Sequence, residues 1–137
     1  MTSEDIINAA RACLRTPFAH QGRLPGIALD CAGLIVHVAQ AIGADYRDQQ
    51  GYSLTPSGAL EQALDEQPCL TYLDDTTDRQ PGDVLLIRIG RDPSHLAIYT
   101  GPTMIHAYEP VGFVCEHDMT PQWARRITAV YRFAGVE

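Results

Sequence analysis

Three side chains of this sequence have the types that acyl-transfer chemistry needs: the thiol of Cys31 and the imidazoles of His95 and His106. A thiol nucleophile requires a base that takes its proton, and the base requires a third group that fixes its tautomer and orientation. We assign the role of nucleophile to Cys31, of base to His95 and of orienting group to His106.

The surroundings of Cys31 in the sequence are those of a helix start. Asp30 is a typical N-cap residue, and the apolar residues after it recur with helical spacing, so we expect Cys31 in the first turn of a buried helix. The helix dipole and a cationic neighbour lower the pKa of a thiol from its usual ~8.5 at such a position. The sequence therefore predicts a thiolate held ready for attack.

The two histidines lie on either side of a predicted hairpin turn. If the hairpin is symmetric about residues 100–101, residues whose numbers sum to 201 face each other, and His95 lies opposite His106. Leu96 and Ile105 then share the opposite, apolar face. This alternation is typical of a sheet with one packed face and one face that carries chemistry.

The elements that position these residues begin with helices. Residues 2–3 cap a first helix, the Cys31 helix ends near Gly43, and residues 55–56 begin a third helix. Residues 16–28 are rich in Pro and Gly, which predicts an irregular loop that forms one wall of a cleft at Cys31.

The second half of the sequence has the pattern of short strands, at residues 84–89, 95–100, 103–108, 112–115 and 127–133. Helices followed by an antiparallel meander predict an α+β fold, with the N-terminal helices packed on a central antiparallel sheet. The length of 137 residues fits one domain, which we place at residues 1–137.

Composition excludes several classes of protein. Seventeen acidic against ten basic residues give a net charge of −7, so nucleic-acid binding has no electrostatic support. No apolar run reaches about 18 residues, so we expect no membrane insertion. Residues 1–5 lack the features of a signal peptide, so we expect synthesis in the cytoplasm. The cysteines form no C-x-x-C pair, which argues against a disulfide framework, and Cys13, Cys69 and Cys115 are interpreted as structural.

Metal binding is the alternative to catalysis for the three candidate residues. Cys31, His95 and His106 are zinc-ligand types, but no other ligand cluster is visible, so we predict neither a metal nor another cofactor. His117 is interpreted as an exposed turn residue. His20 lies in the cleft-wall loop, where a substrate contact and a structural hydrogen bond are equally open.

Four sequence blocks follow one another in a characteristic order and spacing: Asp30-Cys31-Ala32-Gly33-Leu34, Pro81-Gly82-Asp83-Val84, residues 95–101 and Met104-Ile105-His106-Ala107. They resemble the NlpC family of papain-like cell-wall endopeptidases, and together with the opening helix the resemblance covers nearly the whole chain. Residues 16–23 further resemble the members associated with phage tails and gene-transfer particles.

The resemblance implies a papain-like fold and hydrolysis of amide bonds in peptidoglycan stem peptides, commonly between D-γ-glutamate and a diamino acid. Cys31 would attack the carbonyl, its own backbone N–H would help hold the oxyanion, and His95 would protonate the leaving amine. The Cys-His-His set requires no metal in this family.

The resemblance also implies which residues contact substrate. Asp30 would face the amino end of the substrate. Phe18 and Ala32 stand where many members have tyrosine and serine, so two polar contacts are replaced here. With His20, these residues are the predicted substrate-binding set.

The setting implied by the resemblance is a phage-tail or prophage hydrolase that acts on the cell wall within a larger tail-like particle, with tail proteins as partners. Two other functions stay open. The chain could be a non-catalytic tail-tip or wall-binding module, or an amidase or acyltransferase that uses the same triad on another acyl donor.

Overall fold

The centre of the fold is an antiparallel sheet of six strands in the order β3-β8-β4-β5-β6-β7. The computed structural model describes residues 1–49, 51–52 and 58–137. The strands of this sheet are β3 (Leu70–Leu73), β4 (Val84–Ile89), β5 (Asp92–Tyr99), β6 (Thr103–Tyr108), β7 (Phe113–Asp118) and β8 (Ile127–Phe133); a separate pair is formed by β1 (Arg23–Leu24) and β2 (Ala28–Leu29).

Helices cover both faces of the sheet. They are α1 (Ser3–Arg11), α2 (Cys31–Ala41), α3 (Ala59–Asp65) and α4 (Pro121–Ala124), with one 3₁₀ turn at Thr76–Asp78. The main core lies between α1, α2 and one sheet face, where Ile6, Leu34 and Leu86 are fully buried. A smaller core on the other face contains Leu85 and is covered by Trp123 of α4. The predicted α+β arrangement, with N-terminal helices packed on an antiparallel sheet, is confirmed.

The two N-terminal helices begin where their capping residues predict. Thr2 and Asp5 form a capping box at α1. Asp30 caps α2 by accepting a hydrogen bond from the backbone N–H of Gly33 at 2.8 Å. The predicted start of the third helix at residues 55–56 lies outside the described residues, and α3 begins at Ala59.

The cleft-wall loop is partly regular and lies directly on the first turn of α2. Its strands β1 and β2 pair in an antiparallel ladder, so the prediction of a wholly irregular loop is wrong. A Cβ atom added to Gly33 would lie 2.1 Å from the carbonyl oxygen of Gly22. Only glycine at this helix position lets the loop approach so closely.

The hairpin of β5 and β6 has a different register from the predicted one. Ile98 pairs with Ile105 and Tyr99 with Met104, so the numbers of paired residues sum to 203 and not 201. The turn is closed by a backbone hydrogen bond of 3.0 Å from Thr100 to Thr103. A shift of two residues keeps each side chain on its face, so the two catalytic candidates on this hairpin still share a face, as diagonal neighbours.

Within the described part of the chain, no helix combines the length and the apolar character that crossing a bilayer requires.

Candidate active site

The start of α2 is held by a network around the buried carboxylate of Asp30. This carboxylate accepts hydrogen bonds from the backbone of Gly33 and Gln21, each at 2.8 Å, and from Arg23 Nη1 at 2.9 Å. The hydroxyl of Tyr52 donates to its second oxygen. Each carboxylate oxygen thus has two donors from the protein, and Asp30 lines the cavity with its acceptor positions already used.

Cys31 begins α2 and is partly exposed. Desolvation by the surrounding protein raises the pKa of its thiol to about 12, and the carboxylate of Asp30 acts in the same direction. Backbone hydrogen bonds from Leu96 and Ala32 and the charge of Arg23 lower the pKa, but by less. The direction of this shift runs against the predicted thiolate, because desolvation acts more strongly on Cys31 than the helix terminus does.

His95 and His106 form a direct hydrogen bond between their rings. Nε2 of His95 lies 2.6 Å from Nδ1 of His106. His95 is 6% exposed and His106 is 0% exposed. Burial lowers the pKa of both imidazoles, and in His106 the neighbouring histidines lower it further. Both rings are consequently neutral at pH 7.

The thiol and the first imidazole open into one cavity of about 710 Å³, and His106 lies behind His95 outside the lining. Among the described residues, Nδ1 of His95 has no hydrogen-bond partner, so it is the ring nitrogen available to a group in this cavity. The cavity lining includes the predicted substrate-binding residues Phe18, His20, Asp30 and Ala32.

His20 makes a structural hydrogen bond and also lines the cavity, where a substrate contact stays a prediction. It lines the cavity, and its Nε2 atom lies 3.2 Å from the backbone oxygen of Tyr52. The ring of His20 also meets the ring of Tyr52 edge to face. His20 therefore ties the cleft-wall loop to the segment that carries Tyr52.

His117 is the residue of this site that the sequence interpretation missed. It lies on β7 and not in a turn, and its Nε2 atom is 2.8 Å from Nε2 of His106. Its Nδ1 atom is 3.0 Å from the backbone oxygen of Asp118. Side chains alternate along a strand. Extending the strand predicted at residues 112–115 to residue 117 would have placed Cys115 and His117 on the same face as His106.

A metal ion has one candidate set of ligands in the described part of the chain. One ligand atom each from His106, Cys115 and His117 lies within 4.8 Å of the others. The Nε2 atoms of the two histidines are only 2.8 Å apart. Two nitrogens bound to one tetrahedral zinc at 2.0–2.1 Å would be about 3.3 Å apart. These rings are therefore placed for a hydrogen bond and not for shared coordination.

Aromatic side chains cover the linked histidines. The ring of Trp123 lies 5.3 Å from the rings of both His106 and His117, and Tyr108 stacks on His106 at 5.0 Å. This cover lowers the exposure of the hydrogen bonds between the imidazoles to solvent, which strengthens them. The arrangement has the components of a thiol, a neutral base and an orienting group.

The sequence profile of the NlpC/P60 family matches residues 15–132. The chain belongs to the NlpC/P60 family. No curated protein sequence gives a significant match.

Several solved structures of this family share the fold. NlpC1 from Trichomonas vaginalis superposes with a TM-score of 0.70 at 17% identity, over 96% of this chain and 44% of that one. The NlpC/p60 domain of the peptidoglycan hydrolase SagA gives 0.66 at 22% identity, over 95% and 97%. The peptidoglycan hydrolase RipB from Mycobacterium tuberculosis gives 0.69 at 15% identity, over 98% and 65%. The predicted papain-like fold is confirmed. The chain spans less than half of the Trichomonas protein.

Proposed function

We propose that this protein is a cysteine peptidase that hydrolyses amide bonds in peptidoglycan stem peptides. The observation that carries the proposal is the opening of Cys31 and His95 into one cavity, with His95 hydrogen-bonded to His106 behind it. Membership of the NlpC/P60 family and the structural likeness to two peptidoglycan hydrolases support the choice of substrate.

The reaction begins from a neutral thiol and a neutral imidazole. Sγ of Cys31 attacks the carbonyl carbon of the scissile amide while its proton passes to Nδ1 of His95. The N–H of Cys31 at the start of α2 donates to the oxyanion that forms. The C–N bond then breaks, His95 returns the proton to the leaving amine, and the acyl group remains on Cys31 as a thioester.

Water completes the reaction on the same residues. His95, neutral again, takes a proton from water as its oxygen attacks the thioester carbon. The C–S bond breaks and the proton returns to the sulfur of Cys31. His106 holds the ring of His95 in place throughout, as the orienting group of the triad.

The cavity is suited to a peptide that carries both charges. Its lining contains the acidic residue Glu109 and the basic residue Arg47, and also Asp48, which is ion-paired with Arg23 at 3.0 Å. A γ-linked D-glutamate keeps a free carboxylate, and a diamino acid adds an ammonium group, so this dipeptide offers partners for both kinds of side chain. Cleavage between these two residues is therefore our proposed specificity.

Asp30 contacts the substrate as part of its hydrogen-bonded network and not as an isolated carboxylate. Its oxygens are shared with Arg23 and Tyr52, so an ammonium group of the substrate would meet an ion pair that is already formed. Phe18 and Ala32 complete the wall near Cys31 with apolar surface. We place this activity in a phage-tail or tail-like particle, which the resemblance of residues 16–23 to members found there supports.

The test is digestion of purified peptidoglycan of Gram-negative and Gram-positive type, with the released muropeptides identified by mass spectrometry. Wild type and a Cys69→Ala control should release the same new peptides, and Cys31→Ala should release none. Products cut at the sugar–peptide amide would identify an amidase. Equal release by Cys31→Ala would contradict the proposal, and an inert wild type would favour the binding module.

A further inference from the structure

Three imidazoles and one backbone carbonyl form an unbroken hydrogen-bonded chain that ends in the cavity. The chain runs from the carbonyl of Asp118 through His117 and His106 to His95, with distances of 3.0, 2.8 and 2.6 Å. We propose that His117 is a positioning residue: with the carbonyl of Asp118 it fixes the tautomers of His106 and His95, so that Nδ1 of His95 is the bare, basic nitrogen.

The carbonyl of Asp118 determines which nitrogen of each imidazole carries the hydrogen. A carbonyl oxygen only accepts hydrogen bonds, so Nδ1 of His117 carries a hydrogen. A neutral imidazole has one N–H, so Nε2 of His117 is bare and accepts from Nε2 of His106. Nδ1 of His106 is then bare and accepts from Nε2 of His95. The remaining nitrogen, Nδ1 of His95, is left without a hydrogen.

The other end of this chain meets the requirement of the proposed reaction. The nitrogen left bare is the one that has no partner among the described residues and belongs to a residue of the cavity lining. The opposite set of tautomers would put a hydrogen on Nδ1 of His95 and remove the base. Reversing the chain would also leave Nδ1 of His117 bare, facing the lone pairs of the Asp118 carbonyl.

The surroundings keep His95 and His106 neutral and hold the three imidazole rings in place. Burial lowers the pKa of both His95 and His106, so neither ring takes a second hydrogen near pH 7. Trp123 packs against His106 and His117 at 5.3 Å. Of the two carboxylates next to His117 in sequence, that of Glu116 is paired with Arg11 at 2.9 Å. The Asp118 carbonyl also accepts from Thr120 at 3.0 Å, which holds its direction.

The test reads the tautomers directly in the isolated protein, so its outcome does not depend on the proposed activity. Protein labelled with ¹⁵N in histidine is examined by NMR at pH 8, above the ~6.5 of an ordinary imidazole, because the ¹⁵N shift distinguishes protonated from bare ring nitrogens. In wild type, His95 should be protonated at Nε2 and bare at Nδ1. A hydrogen on Nδ1 of His95 would overturn the proposal.

Variants separate a positioning role from a packing role. His117→Phe keeps an aromatic ring against Trp123 but removes the acceptor, and should give a mixture of tautomers at His95. His117→Gln retains an oxygen acceptor and should restore the wild-type pattern. Asp118→Ala leaves the backbone carbonyl in place and should also match wild type. An unchanged His95 pattern in His117→Phe, or an altered one in Asp118→Ala, would overturn the proposal.

A kinetic readout with a purified muropeptide rests on the proposed function and is separate. Because tautomer choice affects chemistry and not binding, His117→Phe should lower kcat by about 2- to 12-fold, the equilibrium value of one neutral hydrogen bond, at unchanged KM. His117→Gln should stay near wild type. A rise in KM with unchanged kcat would show that His117 has no positioning role.

Discussion

Alkylation of Cys31 by iodoacetamide distinguishes a neutral thiol from a preformed thiolate. Its pKa is raised from 9.0 to about 12. At pH 8 the thiolate fraction is therefore about a thousandfold lower than for an ordinary thiol. A more basic thiolate is also more nucleophilic, and a Brønsted coefficient of 0.4–0.5 returns about 20-fold of that loss. We expect Cys31 to react about 50-fold more slowly than a cysteine model peptide.

The pH dependence separates ionisation from restricted access. A thiol with a pKa of about 12 should react about tenfold faster for each pH unit through pH 10, without a plateau. Steric protection alone lowers the rate at every pH, but the rate still reaches a plateau above the pKa of an ordinary thiol. The modified peptide is identified by mass spectrometry, so that the reactions of Cys13, Cys69 and Cys115 are counted separately.

Two variants test the physical causes of this pKa. Asp30→Asn keeps an N-cap acceptor but removes a charge that raises the pKa, so Cys31 should react faster. His95→Ala should leave the rate nearly unchanged, because His95 is neutral in the free protein. A plateau below pH 8 that disappears in His95→Ala would refute the reasoning and establish a thiolate–imidazolium pair.

Three further predictions concern stability, measured by urea denaturation. The linked histidines, His95 of β5 and His106 of β6, have lowered pKa values. The unfolded state therefore binds more protons than the native state below pH 6.5. The free energy of unfolding should fall on acidification by up to about 1.4 kcal/mol per pH unit for each ring. Asp83 is buried and accepts two hydrogen bonds from Arg132, so Asp83→Ala should cost about 3 kcal/mol and the exposed control Asp74→Ala almost nothing. Gly33→Ala should cost about 1–3 kcal/mol, because its Cβ would meet the carbonyl of Gly22.

Each of these three stability predictions would be contradicted by a specific result. Constant stability between pH 6.5 and 5 would show that the two rings are accessible to protons in the native state. Equal losses for Asp83→Ala and Asp74→Ala would remove the energetic role of the Arg132 pair. A more stable Gly33→Ala protein would show that the loop moves away easily and that helix propensity decides.

Local signals in the sequence were sufficient for the parts of the fold that depend on neighbouring residues. The caps at Thr2 and Asp30 predicted where α1 and α2 begin, since a cap acts within one helical turn. The left-handed Gly43 predicted where α2 ends. These elements position Cys31, so its location at a helix start followed from the sequence.

Features that depend on contacts between residues distant in sequence could not be predicted from the sequence. The hairpin register depends on the hydrogen bonds between Thr100 and Thr103, which move its centre by one residue. His117 was missed because β7 extends through pairing with β6, where Met104 lies opposite His117. The raised pKa of Cys31 depends on desolvation by the folded protein, which no local pattern reports.

The acyl intermediate on Cys31 is the most direct test of the central claim. The protein is mixed with a purified stem peptide and quenched in acid within one turnover, and its peptides are analysed by mass spectrometry. If Cys31 is the nucleophile, the peptide that contains it should carry the mass of the amino-side half of the substrate, bound as a thioester. Product release by Cys31→Ala at the wild-type rate would contradict this role of Cys31.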